Sequence, residues 1–584
     1  MRNRDNDSSG PFRSSTRKDF KADTRSFFPT AAAIGVVLAF LLSSFPGGFV
    51  HADTDPNKII LTRAERKLID AERRGETASF VTGDPSIDDV ARGSEWGADR
   101  TIRAEIIRTL VTAGRPDWTV RSKVISIIGA RISGQINLAG AQLKFPLAIV
   151  NSFFFQPIIL MDASARSISL AGSYVTNAPN AFDTKASNAR VSIFAAGLRV
   201  GGDLLLNNHF KGKGEVLLSG AAVSGNADFS GSTIQNSRGD AVSASRMVVG
   251  GNCIFGNGFI AKGTVDLSES EVDHELICSG GTFESSSGSA LNACYITVKG
   301  GVRLNQGFVA TGGVCLTGAN IEGNLDCRGG SFHAVKRPAP TPALDLHQAH
   351  IEKTLFLSQM VPDGLIDLSY AQARTLSDDT DSWPSIGYLE LGGFTYDQID
   401  STSPIDASLR LSWLARQPRA HFSILPYRQL AKVFRDGGED EAAKTILIGM
   451  EDARWKFGKL GPWDLCWNWV LWATIGYGYR PWRALLYIAI FVILGGILFR
   501  WGHNLGVVSS TDQDSYYRPF NSFVYSLETF LPLVDLGQAK HWRPDSEAST
   551  YGRMLRVYLW FHILFGWFFT SMLVVAITGL VRSS

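Results

Sequence analysis

Carboxylates spaced along the middle of the chain are the first groups that could do chemistry. Asn137, Asp228, Asp266, Asp326, Asp345 and Asp367 each stand between two apolar or small residues in a stretch of alternating character. Such alternation puts them on the outer side of strands whose neighbouring residues point inward. A file of outward carboxylates suits sugar cleavage, where two acids flank the scissile bond, or a calcium-binding face. It equally suits a solvated surface, and since an outward strand face is normally polar, that is the reading expected here. His333, His347 and His350 crowd around Asp345. Zinc would take such donors if a fourth were supplied; surface histidines are the ordinary alternative, and no metal is expected. The six cysteines, Cys253, Cys278, Cys294, Cys315, Cys327 and Cys466, form no Cys-x-x-Cys pair, so the common zinc and dithiol motifs are absent. Small buried core residues are expected for most of them. No dinucleotide-type glycine turn stands between a strand and a helix, and there is no haem-type Cys-x-x-Cys-His. No catalytic signature emerges and no cofactor is expected. With 57 Lys and Arg against 55 Asp and Glu, there is no electrostatic case for a nucleic-acid partner.

The elements that would carry these groups are repeated. Val200, Val223, Val249, Val272, Val298 and Ile321 recur at intervals of 23, 26, 23, 26 and 23. Phe210, Phe259 and Phe308 recur at 49, the sum of the two intervals. Internal repeats of this length mean stacked units, and the period-two alternation inside each makes the units strands. The expectation is a mainly β fold, a parallel β-solenoid (β-helix) over 124–373, with phenylalanines stacked inside as ladders. Cys278 and Cys327 share a register but lie two coils apart, about 9–10 Å at the spacing of paired strands. A disulfide needs nearer Cα atoms, so none is expected between them.

The flanks are helical or apolar. Residues 1–52 combine a basic polar stretch, an apolar run and a small-x-small junction at Val50-His51-Ala52, the grammar of a signal peptide or an uncleaved anchor. Residues 57–115 form an N-terminal helical cap. Within it Thr62-Arg63-Ala64-Glu65 is a capping box, and Asp99 would cap a second helix with Ile102, Ile106, Ile107 and Leu110 on one face. Residues 403–460 are a helical hairpin neck. The C-terminal α-helical membrane region has an interfacial helix at 463–478, transmembrane helices at 484–500 and 555–581, and a re-entrant or amphipathic helix at 520–537. The basic residues Arg454, Lys456, Lys459, Arg480 and Arg483 argue for a cytoplasmic neck, whereas the leader argues for an extracytoplasmic solenoid.

Several stretches resemble known families. The outward Asp/Asn followed by an inward Leu resembles the step of pentapeptide-repeat proteins, without their strict five-residue beat. Thr474-Ile475-Gly476-Tyr477-Gly478 nearly spells a potassium-channel selectivity filter, but no transmembrane and pore helix precede it as a filter requires. Phe523-x-Tyr525-Ser526-Leu527-Glu528-Thr529 resembles the pore helix of inward-rectifier-type channels. Leu531 to Gly537 departs from the filter at every glycine but the last, so that resemblance implies no potassium selectivity. It makes Glu528, Thr529 and Asp535 candidate pore or re-entrant residues, with a ring of Asp535 able to favour cations.

Leu61-Thr62-x-Ala64-Glu65-Arg66, Gly476-Tyr477-Gly478-Tyr479-Arg480-Pro481 and Tyr525-Ser526-Leu527-Glu528-Thr529 together look like one bacterial family. Its members are membrane proteins with repeat-rich soluble parts, and some carry the label membrane-associated oxidoreductase. The resemblance implies an inner-membrane protein and no particular catalytic residue. Three functions follow as expectations. The first is a membrane-tethered scaffold or binding module of the cell envelope, with a protein or envelope-polymer partner on the solenoid flank. The second is a channel-like, homo-oligomeric pore. The third is an oxidoreductase, by label alone.

Overall fold

The computed structural model describes residues 59–176, 191–286, 288–334, 341–458, 461–511, 519–545 and 549–578. The leader 1–52 lies outside the described residues. From Leu61 onward the chain is one compact unit.

The cap comes first. Helix α1, Arg63–Arg74, opens on the expected capping box: Glu65 N–H donates to Thr62 Oγ1 and Thr62 N–H to the Glu65 carboxylate. The same fully buried carboxylate accepts from the amide and the guanidinium of Arg103. Against the upward pull of burial, Arg103 and these amides hold Glu65 below the usual carboxylate range. Helix α2, Ala104–Val111, begins later than the sequence suggests. Asp99 does not cap it, because Thr101–Arg103 is a strand paired in parallel with Arg131–Ser133. The isoleucine spacing fitted a helix, but pairing with the first coils fixes Ile102 in the sheet. The cap thus supplies the solenoid's first rung as well as covering it.

Glu72 of α1 is buried as well. Burial pushes its pKa up, and neither carboxylate oxygen meets a hydrogen-bond partner among the described residues. A folded-state pKa above the unfolded one favours the fold at low pH, and that stability is lost as pH rises through the folded value. Glu72→Gln should therefore raise the cap's stability at neutral pH and flatten its pH dependence. Thermal unfolding between pH 4 and 8 checks this; an unchanged slope would mean that Glu72 finds a partner in solution.

The solenoid has about 11 turns. A coil carries four short strands, as in Arg199–Val200, Leu204–Leu205, Lys211–Lys213 and Glu215–Leu217. They stack in two long parallel sheets. The repeat register is the expected one: Val200 pairs Val223, then Val249, Val272, Val298 and Ile321. All six are buried, and the column runs on through Ile351, Ala373 and Tyr396.

The phenylalanine ladder forms, but as a zigzag. Phe259, Phe283, Phe308 and Phe332 follow one another with ring centroids 5.2–5.4 Å apart. Phe283 pairs with Ala261 and Phe332 with Ala310, so alternate coils offer their ring two residues further along the strand. The offset gives these rings tilted packing, whereas Phe229 and Phe255, at matching positions of adjacent coils, stack flat at 4.6 Å. The alternation of Phe and Ala at these positions repeats every two coils.

Helices α3 (Ala407–Leu414), α4 (Leu425–Asp436) and α5 (Asp440–Phe457) close the far end. The joint is a fully buried ion pair. Arg410 donates through both Nη atoms to Asp378 at 2.8 Å, and through Nε to the Pro404 carbonyl at 2.6 Å. Trp383 Nε1 donates to the same carboxylate at 2.9 Å.

Helix α6, Pro462–Ile475, follows. Two further helices, α7 (Trp482–Asn504) and α9 (Thr550–Thr578), are long and apolar enough to cross a membrane. Short helix α8, Ser522–Phe530, lies between them in sequence. Val508–Ser510 and Trp542–Pro544 pair as a small antiparallel hairpin.

Candidate functional site

Helix α8 is gripped halfway along α7 and α9. Asn521 Oδ1 caps it, accepting from Phe523 N–H and Val524 N–H at 3.2 Å. Gly495 and Gly496 of α7 leave room for it: a Cβ on the first would strike Ser526 and His562, and on the second the Phe523 ring. Gly566 of α9 does the same for the Phe530 carbonyl. Phe491 of α7 stacks on Phe530 at 5.7 Å.

At the centre of this packing sit Ser526 and His562, both fully buried. Ser526 Oγ donates to the Val492 carbonyl at 2.8 Å. His562 Nε2 lies 3.1 Å from the Ser526 carbonyl and 3.2 Å from Ser526 Oγ, and Nδ1 lies 3.2 Å from the Tyr558 hydroxyl. A carbonyl only accepts, so Nε2 carries the hydrogen and Nδ1 accepts from Tyr558. A nucleophilic serine needs the opposite arrangement, with its proton taken by an imidazole nitrogen that a third group orients. The pair is therefore a tie between three helices and not a hydrolytic centre.

The candidate pore residues do separate things. Glu528, largely buried, accepts from the amides of Gln538 and Ala539 at 2.6 and 3.1 Å. That carboxylate holds the end of the 531–537 segment against α8. Thr529 Oγ1 donates back into the helix, to the carbonyls of Tyr525 and Ser526. Asp535 is exposed, accepts from Gly537 N–H, and is paired with Lys540.

The filter-like letters Thr474 to Gly478 form a helix terminus. Gly476, Tyr477 and Gly478 all have positive φ, and the amides of Tyr477 and Gly478 return to carbonyls of α6. The Tyr477 hydroxyl donates to Asp452 of α5 at 3.3 Å. Leu471, Ile475 and Tyr477 pack with Ala484, Met572 and Ala576. This turn thus joins the neck to the base of α7 and α9. The rest of α6 is exposed on most sides, with Trp463, Trp467, Trp469 and Trp472 outward.

On the solenoid, the outward Asp and Asn side chains build turns. The amide two residues on donates to the side chain of Asn137, Asp228, Asp266, Asp326, Asp345 and Asp367, at 2.8–3.1 Å. The residue three on is left-handed in every case: Gly140, Gly231, Glu269, Gly329, Gln348 and Tyr370. These are Asx turns, for which Asp and Asn are chosen because the short side chain imitates a backbone acceptor. Three of the carboxylates also hold an Asn one coil away, in Asn207–Asp228, Asn292–Asp266 and Asn305–Asp326. Asp345, Asp367 and Glu390 stack without an intervening amide, and His421 of the neck meets Glu390 at 2.8 Å. His333, His347 and His350 do not converge: His333 faces Asp363, His347 lies beside Ser369, and His350 sits on the other sheet. Among the described residues no group of His, Cys, Asp or Glu is placed to hold a metal.

Burial pushes Glu215 and Asp240 up, against the pull of Ser243; Asp240 adds to the rise at Glu215, as Asp266 does at Asp240. A cleft of about 330 Å³ opens between the 81–91 loop and the corner residues Asn151, Tyr174, His209 and Lys211.

The cysteines divide. Cys253, Cys278 and Cys327 are buried and free, as expected for core residues, while Cys466 is exposed on α6. Cys294 and Cys315 are not core: they form a disulfide on the outer face between adjacent coils, with Cα atoms 5.5 Å apart.

No family model, curated protein or solved structure matches the chain. Sequence reasoning missed three features: the Ser526–His562 tie, the Asp378–Arg410 pair and the disulfide. A histidine inside an apolar run was the one available signal for the first.

Proposed function

We propose that this chain is a membrane-tethered β-solenoid scaffold or binding module of a bacterial cell envelope, with its coils outside the cytoplasm. The observation that carries the reading is the continuous chain of contacts from the coils to the apolar helices. It runs through Asp378–Arg410, the neck and Tyr477–Asp452. Such a joint suits a rod held in fixed orientation at a bilayer. The exposed tryptophans of α6 suit the lipid interface, and a solenoid flank offers a long surface to a protein or envelope polymer. Disulfides persist in oxidising compartments, so Cys294–Cys315 supports an outer location. Arg454, Lys456, Arg480 and Arg483 pull the other way, which makes the side of the membrane the deciding measurement.

A single thiol at the exposed Lys262, in a Cys466→Ser background, gives that measurement. After outer-membrane permeabilisation, Lys262→Cys should react with an impermeant maleimide while the inner membrane is intact. Protection until the inner membrane is lysed would put the coils in the cytosol and overturn the envelope reading.

The position of α8 favours a second reading, a channel-like assembly. A short helix entering between two spans and returning as extended chain is how a pore loop is built. Asp535, paired with Lys540, is the residue near the conduit. Asp535→Asn should abolish cation flux through reconstituted protein; unchanged flux would remove that residue from the mechanism.

A further inference from the structure

We infer that the segment 531–537 is a contact surface between copies of this chain, and that the membrane region is complete only as a homo-oligomer. The inference rests on reading α7 and α9 as membrane spans. It does not depend on whether the assembly conducts.

The argument begins with depth. Helix α8 has nine residues, a rise of roughly 14 Å. Its first turn lies beside Gly496 and Phe499, near the end of the apolar run of α7. Its last residue, Phe530, lies against Phe491 and Gly566, near the middle of both spans. A hydrocarbon core is about 30 Å thick, so the helix descends about half of it. The chain then returns without helix from Leu531 to Gln538, whose side chain accepts from the amide of Asn521 at the start of α8.

That return strand has an unfinished hydrogen-bond account. Among the described residues, the amides of Leu533, Asp535 and Leu536 meet no partner, nor do the carbonyls from Pro532 to Leu536. Leu533 is 90% exposed and Leu536 46%. Irregular backbone at membrane depth is tolerated only where it is buried in protein or lines a water-filled cavity. Lipid can supply neither partner, and one chain does not enclose the segment.

A second copy is the occupant that the geometry favours. Symmetric assembly about an axis beside 531–537 brings the same segment from each copy together. That arrangement buries Leu533 and Leu536 and leaves the polar backbone facing protein or an enclosed aqueous space. The apolar side chains suit the contact, and the Asp535–Lys540 pair leaves it no net charge.

The test uses full-length protein in its native membrane, with two differently tagged copies expressed together in a Cys466→Ser background. Leu533→Cys should give a bis-maleimide product carrying both tags, in at least tenfold higher yield than Leu564→Cys, a control on the outer face of α9 (62% exposed). Equal yields from the two positions, no product, or a product with another protein and never both tags would each overturn the inference. Alkaline carbonate extraction is run alongside. Release from the membrane would overturn the spanning reading and the inference with it. Retention without the two-tag product would overturn the inference alone.

Discussion

Replacing Asp378 by alanine should cost the junction between the coils and the neck about 3–5 kcal/mol, the usual penalty for stranding one member of a buried ion pair. Arg410 is fully buried and Asp378 nearly so. Deleting the carboxylate leaves a guanidinium whose two Nη donors pointed at it. It also strands the Trp383 indole N–H. The remaining acceptor, the Pro404 carbonyl, takes only Nε, so the charge has no local substitute. The expected result is a large fall in the unfolding midpoint of detergent-purified protein, with new protease cleavage between 378 and 414. A double variant, Asp378→Leu with Arg410→Met, should recover much of the loss. Replacing both partners removes the stranded charge, and buried pairs exchanged for apolar residues are often neutral or better. If Asp378→Ala left the midpoint within about 0.5 kcal/mol of the parent, a range typical of surface substitutions, the joint would lie elsewhere.

The same pair shows where sequence reading runs out. Asp378 and Arg410 lie in segments with no repeat of their own, and only the closed structure brings them together. The coil register was legible because each inward position repeats with one of two intervals, and stacking makes every inward residue answer to its neighbours above and below. The Asx turns were half legible. The Asp/Asn step was visible and its outward direction correct, but the role of the carboxylate depends on a left-handed residue three positions on. That residue is as often Glu, Gln or Tyr as Gly, so no residue type announces it. The disulfide was missed because cysteines were compared at one register. Cys315 pairs with Asn292, not Cys294, so the bond runs to a residue two positions past the register partner. Near the C-terminus the helix expected over 520–537 is present only as α8, 522–530. The histidine that ties it to α9 sits 36 residues away, and no local pattern links the two.

The alternation of long and short coils leads to the second large effect. The short coils turn one corner on a single glycine, and Gly214, Gly263, Gly312 and Gly364 have φ of 127°, 123°, 131° and 145°. Side-chain-bearing residues scarcely enter that region. At Gly263 and Gly312 the preceding long coil carries its extra residues at the same corner, and its loop folds down onto the glycine. A Cβ on Gly263 would lie 2.5 Å from the Gly239 carbonyl, 2.7 Å from that of Asn236 and 2.8 Å from the Ala241 nitrogen. All three are backbone atoms and cannot turn aside as a side chain would. Gly312 meets the Gly288 and Ser285 carbonyls and the Ala290 nitrogen in the same way. Long and short coils are thus complementary, which accounts for the alternation of the two intervals. Gly263→Ala must bear a disallowed conformation, about 1–3 kcal/mol, and the displacement of a packed loop, about another 1–3 kcal/mol. Gly258→Ala is the control: φ is +84° there, and nothing lies within 4 Å of the added atom, so about 1–2 kcal/mol is expected from conformation alone. Thermal and urea unfolding of the two variants should therefore separate clearly, with Gly263→Ala well below Gly258→Ala. Equal losses would mean that the loop yields, and that the alternation of intervals has some origin other than this corner.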